Sequence, residues 1–208
     1  MFITLEGPEG SGKSSQLPVL ADWLREQGFS IYTTREPGGT SISDQVREIL
    51  HNLENTAMHP RTEILLYLAS RAQHVEEVIR PLLAEGTIVL CDRYADSTLA
   101  YQGYGHRVDL NMLKILLDFA TGGLYPDLTL LLDLDVAQGL ERRKKSGGEW
   151  NRLDAYELAF HKRVREGYLV LAAEEPQRWR TIDAAQSFDK VQATLRQTVM
   201  DVLVKVIK

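Results

Sequence analysis

Cysteine is all but absent from this 208-residue chain, which carries only Cys91. One thiol can build neither an internal disulfide nor a cysteine-based zinc site within the chain, so a reducing, cytoplasmic setting is expected. An excess of positive charge is missing as well: 24 Lys and Arg face 29 Asp and Glu, for a formal net charge of −5. That balance argues against a protein whose main task is to coat nucleic acid, while a small anion held in a local basic pocket stays possible. No apolar stretch approaches the roughly 18 residues of a membrane span, and no basic leader precedes the first apolar run, so neither a membrane segment nor export is expected. Internal repeats and Pro- or Ser-rich linkers are also lacking. What is there is ordinary for a globular protein: 44% hydrophobic and 25% charged residues, enough to bury a sizeable core in one domain spanning 1–208.

Short β-branched and apolar runs at 2–5, 30–34, 87–92, 128–133 and 179–182 predict strands, since each is too short for a helix and most end in Gly, Pro or acidic residues. Helical patterns fall between them at 13–27, 41–50, 62–84, 110–120, 136–145, 156–173 and 188–204. Strands alternating with helices imply a mostly parallel sheet covered on both faces, with ligands beyond the carboxyl ends of the strands. Those ends carry Glu6, Arg35-Glu36, Asp92-Arg93, Asp133 and Asp135. The segment 141–154, ERRKKSGGEWNRLD, is the candidate for an excursion from the domain, because glycine and charge are concentrated there between two helical patterns.

Gly7-Pro8-Glu9-Gly10-Ser11-Gly12-Lys13-Ser14, followed by Ser15, satisfies G-x-x-x-x-G-K-[ST] directly after a strand and before a helix. Glycines there let successive N–H groups turn inward and form an anion nest at a helix N-terminus. Lys13 is then placed to reach the β- and γ-phosphates of ATP, and the Ser14 hydroxyl to ligate Mg²⁺. The loop alone does not choose the reaction. No N-K-x-D guanine-reading tetrapeptide is present, and small-molecule phosphoryl transfer is favoured.

A kinase acting on a phosphorylated acceptor needs a second basic site, for which Arg35, Arg71 and Arg93 are the candidates. Asp92 ends a buried strand, the place of a carboxylate that orients Mg²⁺ or its waters. Ser97, Thr98, Tyr101 and Gln102 supply the hydroxyls, ring and amide that a nucleobase and sugar pocket requires. Tyr67 lies one helical turn before Arg71, so its ring could stack on a base whose edge Arg71 contacts. Glu9 could bind a sugar hydroxyl, help hold Mg²⁺ or stay solvated. The charge run Arg142, Arg143, Lys144, Lys145 and Arg152 reads either as a solvated helix end or as a flap that closes on the transferring phosphoryl group and excludes water. A phosphate monoester acceptor is already anionic near neutral pH and needs no general base.

Taken together, FITLEGPEGSGKSSQ, TREPGGT at 34–40, YLASRAQH at 67–74, DRYADSTLAYQG at 92–103, PDLTLLLDLD at 126–135 and AFHKRVREGY at 159–168 resemble the thymidylate kinases over essentially the whole chain. The resemblance implies an α/β fold of the P-loop NTPase type, three-layer α/β/α with a five-stranded parallel sheet and a short helical lid. It implies phosphorylation of dTMP to dTDP with ATP and Mg²⁺, a homodimer packed through helices, and a cytoplasmic role in dTTP synthesis. Residue by residue it puts Arg35, Glu36 and Arg93 at the dTMP site with Asp92 beside phosphates and metal, and Tyr67 and Arg71 at the base. Ser97, Thr98, Tyr101 and Gln102 would line base and deoxyribose, with Glu9 near the 3′-hydroxyl and Arg142, Arg143 or Arg152 supplying the catalytic charge of the lid. The lid departs from the family pattern at Asn151, where an acidic residue is usual. Another nucleotide kinase, a deoxynucleoside kinase, or a nucleotide-dependent switch are the rival readings.

Overall fold

A computed structural model describes residues 1–145 and 156–207. Five strands, β1 (Phe2–Glu6), β2 (Ile31–Arg35), β3 (Ile88–Asp92), β4 (Leu128–Asp133) and β5 (Trp179–Asp183), form one sheet in the order β2-β3-β1-β4-β5. Every pairing is parallel, with Leu5 opposite Asp92 on one side and Leu130 on the other. The carboxyl ends of all five strands therefore lie on one edge of the sheet.

β1 and β4 are buried along nearly their whole length, so their apolar residues serve two cores by strict alternation. Ile3, Leu5, Leu90, Leu130 and Leu132 face α1 (Lys13–Glu26) and α9 (Phe188–Ile207). Phe2, Val89, Cys91 and Leu131 face α3 (Pro60–His74), α6 (Leu110–Thr121) and α8 (Leu158–Glu174). α2 (Ser41–His51) packs on α3, and α7 (Val136–Lys145) follows β4. The helix starts are local chemistry: the Thr40 hydroxyl accepts from Ser43 N–H at 3.1 Å, and the Asp109 carboxylate accepts from Met112 N–H at 2.7 Å.

Two details differ from the sequence reading. The helix expected over 62–84 begins at Pro60 and is divided into α3, a π-helical stretch Val75–Ile79 and α4 (Arg80–Ala84). Residues after Arg93, read from sequence only as a polar pocket segment, are helical: α5 (Ala95–Thr98) runs into a π-helical stretch Leu99–Gly105. Its Ser, Thr and Gly content carries little helical signal. Packing supplies what propensity lacks, since α8 lies along it and Phe160 abuts Gly105. The wider π turn is a common device at functional sites, and it carries Tyr101 and Gln102 to the cleft.

Candidate active site

A cleft of about 710 Å³ lies over the carboxyl ends of β1, β2 and β3, and most of the residues singled out from sequence line it. The phosphate loop forms its floor. Gly10 (φ 70°) could not be replaced without collision, because a Cβ there would lie 1.9 Å from the Gly139 carbonyl of α7. Lys13 is buried and turned back on its own loop, donating to the carbonyls of Gly7 and Pro8 at 2.9 Å and to Ser11 Oγ at 3.1 Å. Burial, followed by the nearby Arg93 charge, pulls its pKa down to about 8 against the opposing pull of Glu9, Asp92 and Glu6. Three acceptors hold the ammonium where phosphate oxygens could replace them. Ser14 Oγ donates to Asp92 at 2.6 Å, joining the loop to the end of β3.

Arg93 follows β3 with φ 69°, a left-handed conformation that is costly for a residue with a Cβ and that persists only where surroundings enforce it. The surroundings here are dense. One guanidinium nitrogen donates to Gly7 O at 3.1 Å, Ser97 Oγ at 3.3 Å and Tyr168 OH at 3.0 Å; the other donates to Glu9 at 2.8 Å and Tyr101 OH at 2.9 Å. For Glu9, burial would raise the pKa, but Arg93, Lys13 and the Tyr101 hydroxyl outweigh it and hold the carboxyl at about 2. Glu9 is thus a carboxylate in contact with a charged arginine.

At the other end, Arg71 is 2% exposed and donates to Glu36 at 2.7 Å, Thr98 Oγ1 at 2.9 Å and the Tyr94 carbonyl at 2.9 Å. Glu36 is held in turn by His74 at 3.0 Å, whose other ring nitrogen meets Thr34 Oγ1 at 2.8 Å. Tyr67 lines the cleft one turn before Arg71, and Gln102 donates to the buried Glu63 at 2.7 Å. Arg35 also lines the cleft but stays largely open to solvent, 3.6 Å from Asp44.

Arg142 and Arg143 lie in α7 and line the cleft, with Arg142 donating to the Ala184 carbonyl at 2.8 Å. Arg152, Asn151 and most of the flap expected over 141–154 lie outside the described residues. Several cleft residues escaped the sequence reading. Arg47 reaches in from α2, and Ala184, Gln186, Ser187, Phe188 and Val191 close the end nearest β5 and α9. None of these carries a motif; the sheet order, which sets β5 beside β4 and one strand away from β1, brings residues 184–191 near the phosphate loop, and Arg47 arrives on the helix that follows β2. Asp133, a strand-end charge, is instead taken up by Arg165 at 2.7 and 2.9 Å.

Comparison with known proteins gives a consistent result. The model of the thymidylate kinase family matches residues 5–195. A thymidylate kinase of Roseiflexus sp. (strain RS-1) is 52% identical over 200 residues, covering 91% of this chain and 88% of that protein. One from Thermomicrobium roseum (strain ATCC 27502 / DSM 5159 / P-2) is 52% identical over 202 residues, covering 97% and 95%. The crystal structure of thymidylate kinase from Ehrlichia chaffeensis superposes with a TM-score of 0.78 at 32% identity, covering 96% of this chain and 98% of that one.

Proposed function

This chain belongs to the thymidylate kinase family, and from that premise we propose how its cleft divides the work of moving a phosphoryl group from ATP to dTMP. The reaction yields dTDP, on the route to dTTP. The observation that carries the division is the continuity of one cleft, from the phosphate loop through Glu9 and Arg93 to Tyr67 and Arg71. The loop from Gly7 to Ser15 takes the phosphates of ATP, with Lys13 leaving its carbonyl partners for the β- and γ-oxygens. The residues at 184–191 lie where the rest of that nucleotide extends.

The acceptor takes the other end. Arg93 and Arg35 neutralise the dTMP phosphate, and the Arg93 fork is preset by its contacts with Glu9 and Tyr101. Tyr67 stacks on thymine, Arg71 and Gln102 face its edge, and Thr98, Ser97, Tyr101 and Glu9 surround the deoxyribose. Glu36 holds Arg71 in place. The acceptor oxygen is anionic near neutral pH, so the protein's task is alignment and charge neutralisation rather than proton removal. Arg142 and Arg143 add positive charge beside the transferring group, and Arg152 belongs to the same segment.

The Ser14 hydroxyl and Asp92 carboxylate meet at 2.6 Å, an all-oxygen pair that fits a hard cation completed by phosphates and water. When Mg²⁺ is bound there, its charge offsets that of the β- and γ-oxygens. No group of three or more His, Cys, Asp or Glu forms a separate metal cage among the described residues. A homodimer is supported by an apolar face across neighbouring helices: Phe119 (88% exposed) and Ile115 (70%) on α6, Leu65 (60%) on α3, and Ile42 and Ile49 on α2. Large apolar side chains exposed on neighbouring helices are what a protein–protein contact would cover. Among the described residues no helix is long and apolar enough to cross a membrane; the substrates are free nucleotides, and we place the reaction in the cytoplasm.

The test is ADP release measured across dTMP, dUMP, dCMP, dGMP and thymidine, with Lys13→Ala as the inactive control. Preference for dTMP supports the assignment; equal rates across the series, or full activity on thymidine, overturn it.

A further inference from the structure

The end of β1 holds a carboxylate that none of the roles above uses. Glu6 is fully buried at the last position of β1, immediately before the phosphate loop. Its Oε1 accepts from the Tyr94 N–H at 2.8 Å, and its Oε2 accepts from Ser97 Oγ at 2.6 Å and Tyr168 OH at 2.9 Å. The same two hydroxyls sit 3.3 and 3.0 Å from one guanidinium nitrogen of Arg93, and 2.8 Å from each other.

A hydroxyl has one proton and two lone pairs, an ionised carboxylate only accepts, and a guanidinium only donates. With Glu6 ionised, both hydroxyls can spend their protons on Oε2 and turn lone pairs toward Arg93. With Glu6 protonated, one of them accepts from it, and that hydroxyl's own proton must turn from Oε2 toward the other hydroxyl or toward Arg93, so the pair no longer offers Arg93 lone pairs alone. We propose that Glu6 is a positioning residue for the acceptor phosphate: it sets the polarity of the Ser97 and Tyr168 hydroxyls and so holds Arg93 in its left-handed, forked conformation. The proposal rests on Arg93 binding the dTMP phosphate, as assigned above.

The groups facing Glu6 from the surrounding elements are Cys91 on β3, Arg93 and the Tyr94 N–H after it, Asp96 and Ser97 on α5, Tyr168 on α8, Lys13 on α1 and, from α3, Arg71. Asp96 is itself paired with Arg178 at 2.6 Å. Burial first, then the Asp96 charge, lifts the Glu6 pKa to about 7, against the hydrogen bond from Ser97, the Arg93 charge and the hydrogen bond from Tyr168. The device therefore works near neutrality.

The experiment measures KM for dTMP and for ATP, kcat and thermal unfolding for Glu6→Gln, Tyr168→Phe, their double variant and Arg93→Ala. Glu6→Gln is expected to raise the dTMP KM by about tenfold, the effect of one charge-assisted hydrogen bond at the low end, with the ATP KM unchanged. Adding Tyr168→Phe to Glu6→Gln should cost less than about twofold more, because the hydroxyl no longer has a set polarity. In the profile of kcat/KM for dTMP against pH, the wild type loses activity as Glu6 gains its proton near pH 7, whereas Glu6→Gln keeps only the limb of the substrate phosphate near about 6. Tyr168→Phe, which removes a bond to the carboxylate, should move the Glu6 limb to higher pH; it provides the test should Glu6→Gln not fold. An unchanged dTMP KM or pH profile in Glu6→Gln, fully multiplicative effects in the double variant, or an unmoved limb in Tyr168→Phe overturns the proposal. If Arg93→Ala raises the dTMP KM and Glu6→Gln does not, only this inference fails; if Arg93→Ala leaves it unchanged, the assignment of Arg93 fails and takes the inference with it.

Discussion

Replacing Arg71 by alanine should separate substrate binding from chemistry in this enzyme, on the assignment proposed above. A guanidinium has five N–H donors; the protein engages Arg71 through Glu36, Thr98 and the Tyr94 carbonyl, and the remaining donors are available to the base edge. Loss of one hydrogen bond from a charged donor costs about 1.5–3 kcal/mol, which at 1.36 kcal/mol per decade is roughly a 10- to 150-fold rise in the dTMP KM. The phosphate loop and Arg93 are untouched, so kcat should stay within about threefold. Stability falls as well, because the buried Glu36 loses its cation and keeps only His74. Breaking a buried pair in this way costs about 3–5 kcal/mol, or roughly 6–20 °C in Tm for a domain of this size. Steady-state kinetics over a range of dTMP at saturating ATP, run well below the lowered Tm, reads the first effect, and calorimetry the second. A fall in kcat with unchanged dTMP KM would refute the placement of Arg71 at the base.

Three further substitutions probe other parts of the molecule. Gly139→Ala would put a Cβ 2.2 Å from the Glu9 carbonyl and push the phosphate loop out of shape; overpacking of about 1–3 kcal/mol should appear as a rise of roughly 5- to 150-fold in the ATP KM, and an unchanged value would show that the loop tolerates displacement. Glu9 has its pKa lowered from 4.5 to about 2, so it adds stability above pH 4.5 that is lost as pH falls toward 2. Glu9→Gln should therefore unfold at lower temperature than wild type at pH 7, the gap closing through that acidic window; a gap independent of pH refutes the ion-pair account. Phe119→Glu on the exposed face of α6 should convert a dimer to a monomer in light-scattering measurements of mass, and an unaltered mass at micromolar concentration would move the interface elsewhere.

Short β-branched and apolar runs, most of them ended by Gly, Pro or acidic residues, suffice to place all five strands, and the lack of polar alternation in β3 and β4 marks central strands buried on both faces. The loop from Gly7 to Ser14 was equally legible: its spacing is a backbone requirement written in glycine. Arg93 and Asp92 followed from their position at a strand end. By contrast, nothing local marks Arg47, Ala184, Gln186, Ser187, Phe188 or Val191 as parts of the cleft: Arg47 arrives on α2, and the others through the order β2-β3-β1-β4-β5 and the placement of α9, while Tyr168 reaches Arg93 from beneath the cleft through the packing of α8.

The sequence by itself determined which chemical groups this protein owns and the local geometry of its phosphate loop, since both depend on residues within one turn of each other. Only the tertiary structure decided what state those groups are in. Glu9 and Glu6 lie three positions apart in the same segment, yet one carboxyl is held near 2 and the other near 7. The first is paired with Arg93 and lies in the field of Lys13, whereas the second is deeper in the fold beside Asp96, its charge relieved by the Ser97 hydroxyl, then the Arg93 charge, then the Tyr168 hydroxyl. Charge and desolvation act through space, and the neighbours that set them come from strands and helices as much as 162 residues away along the chain.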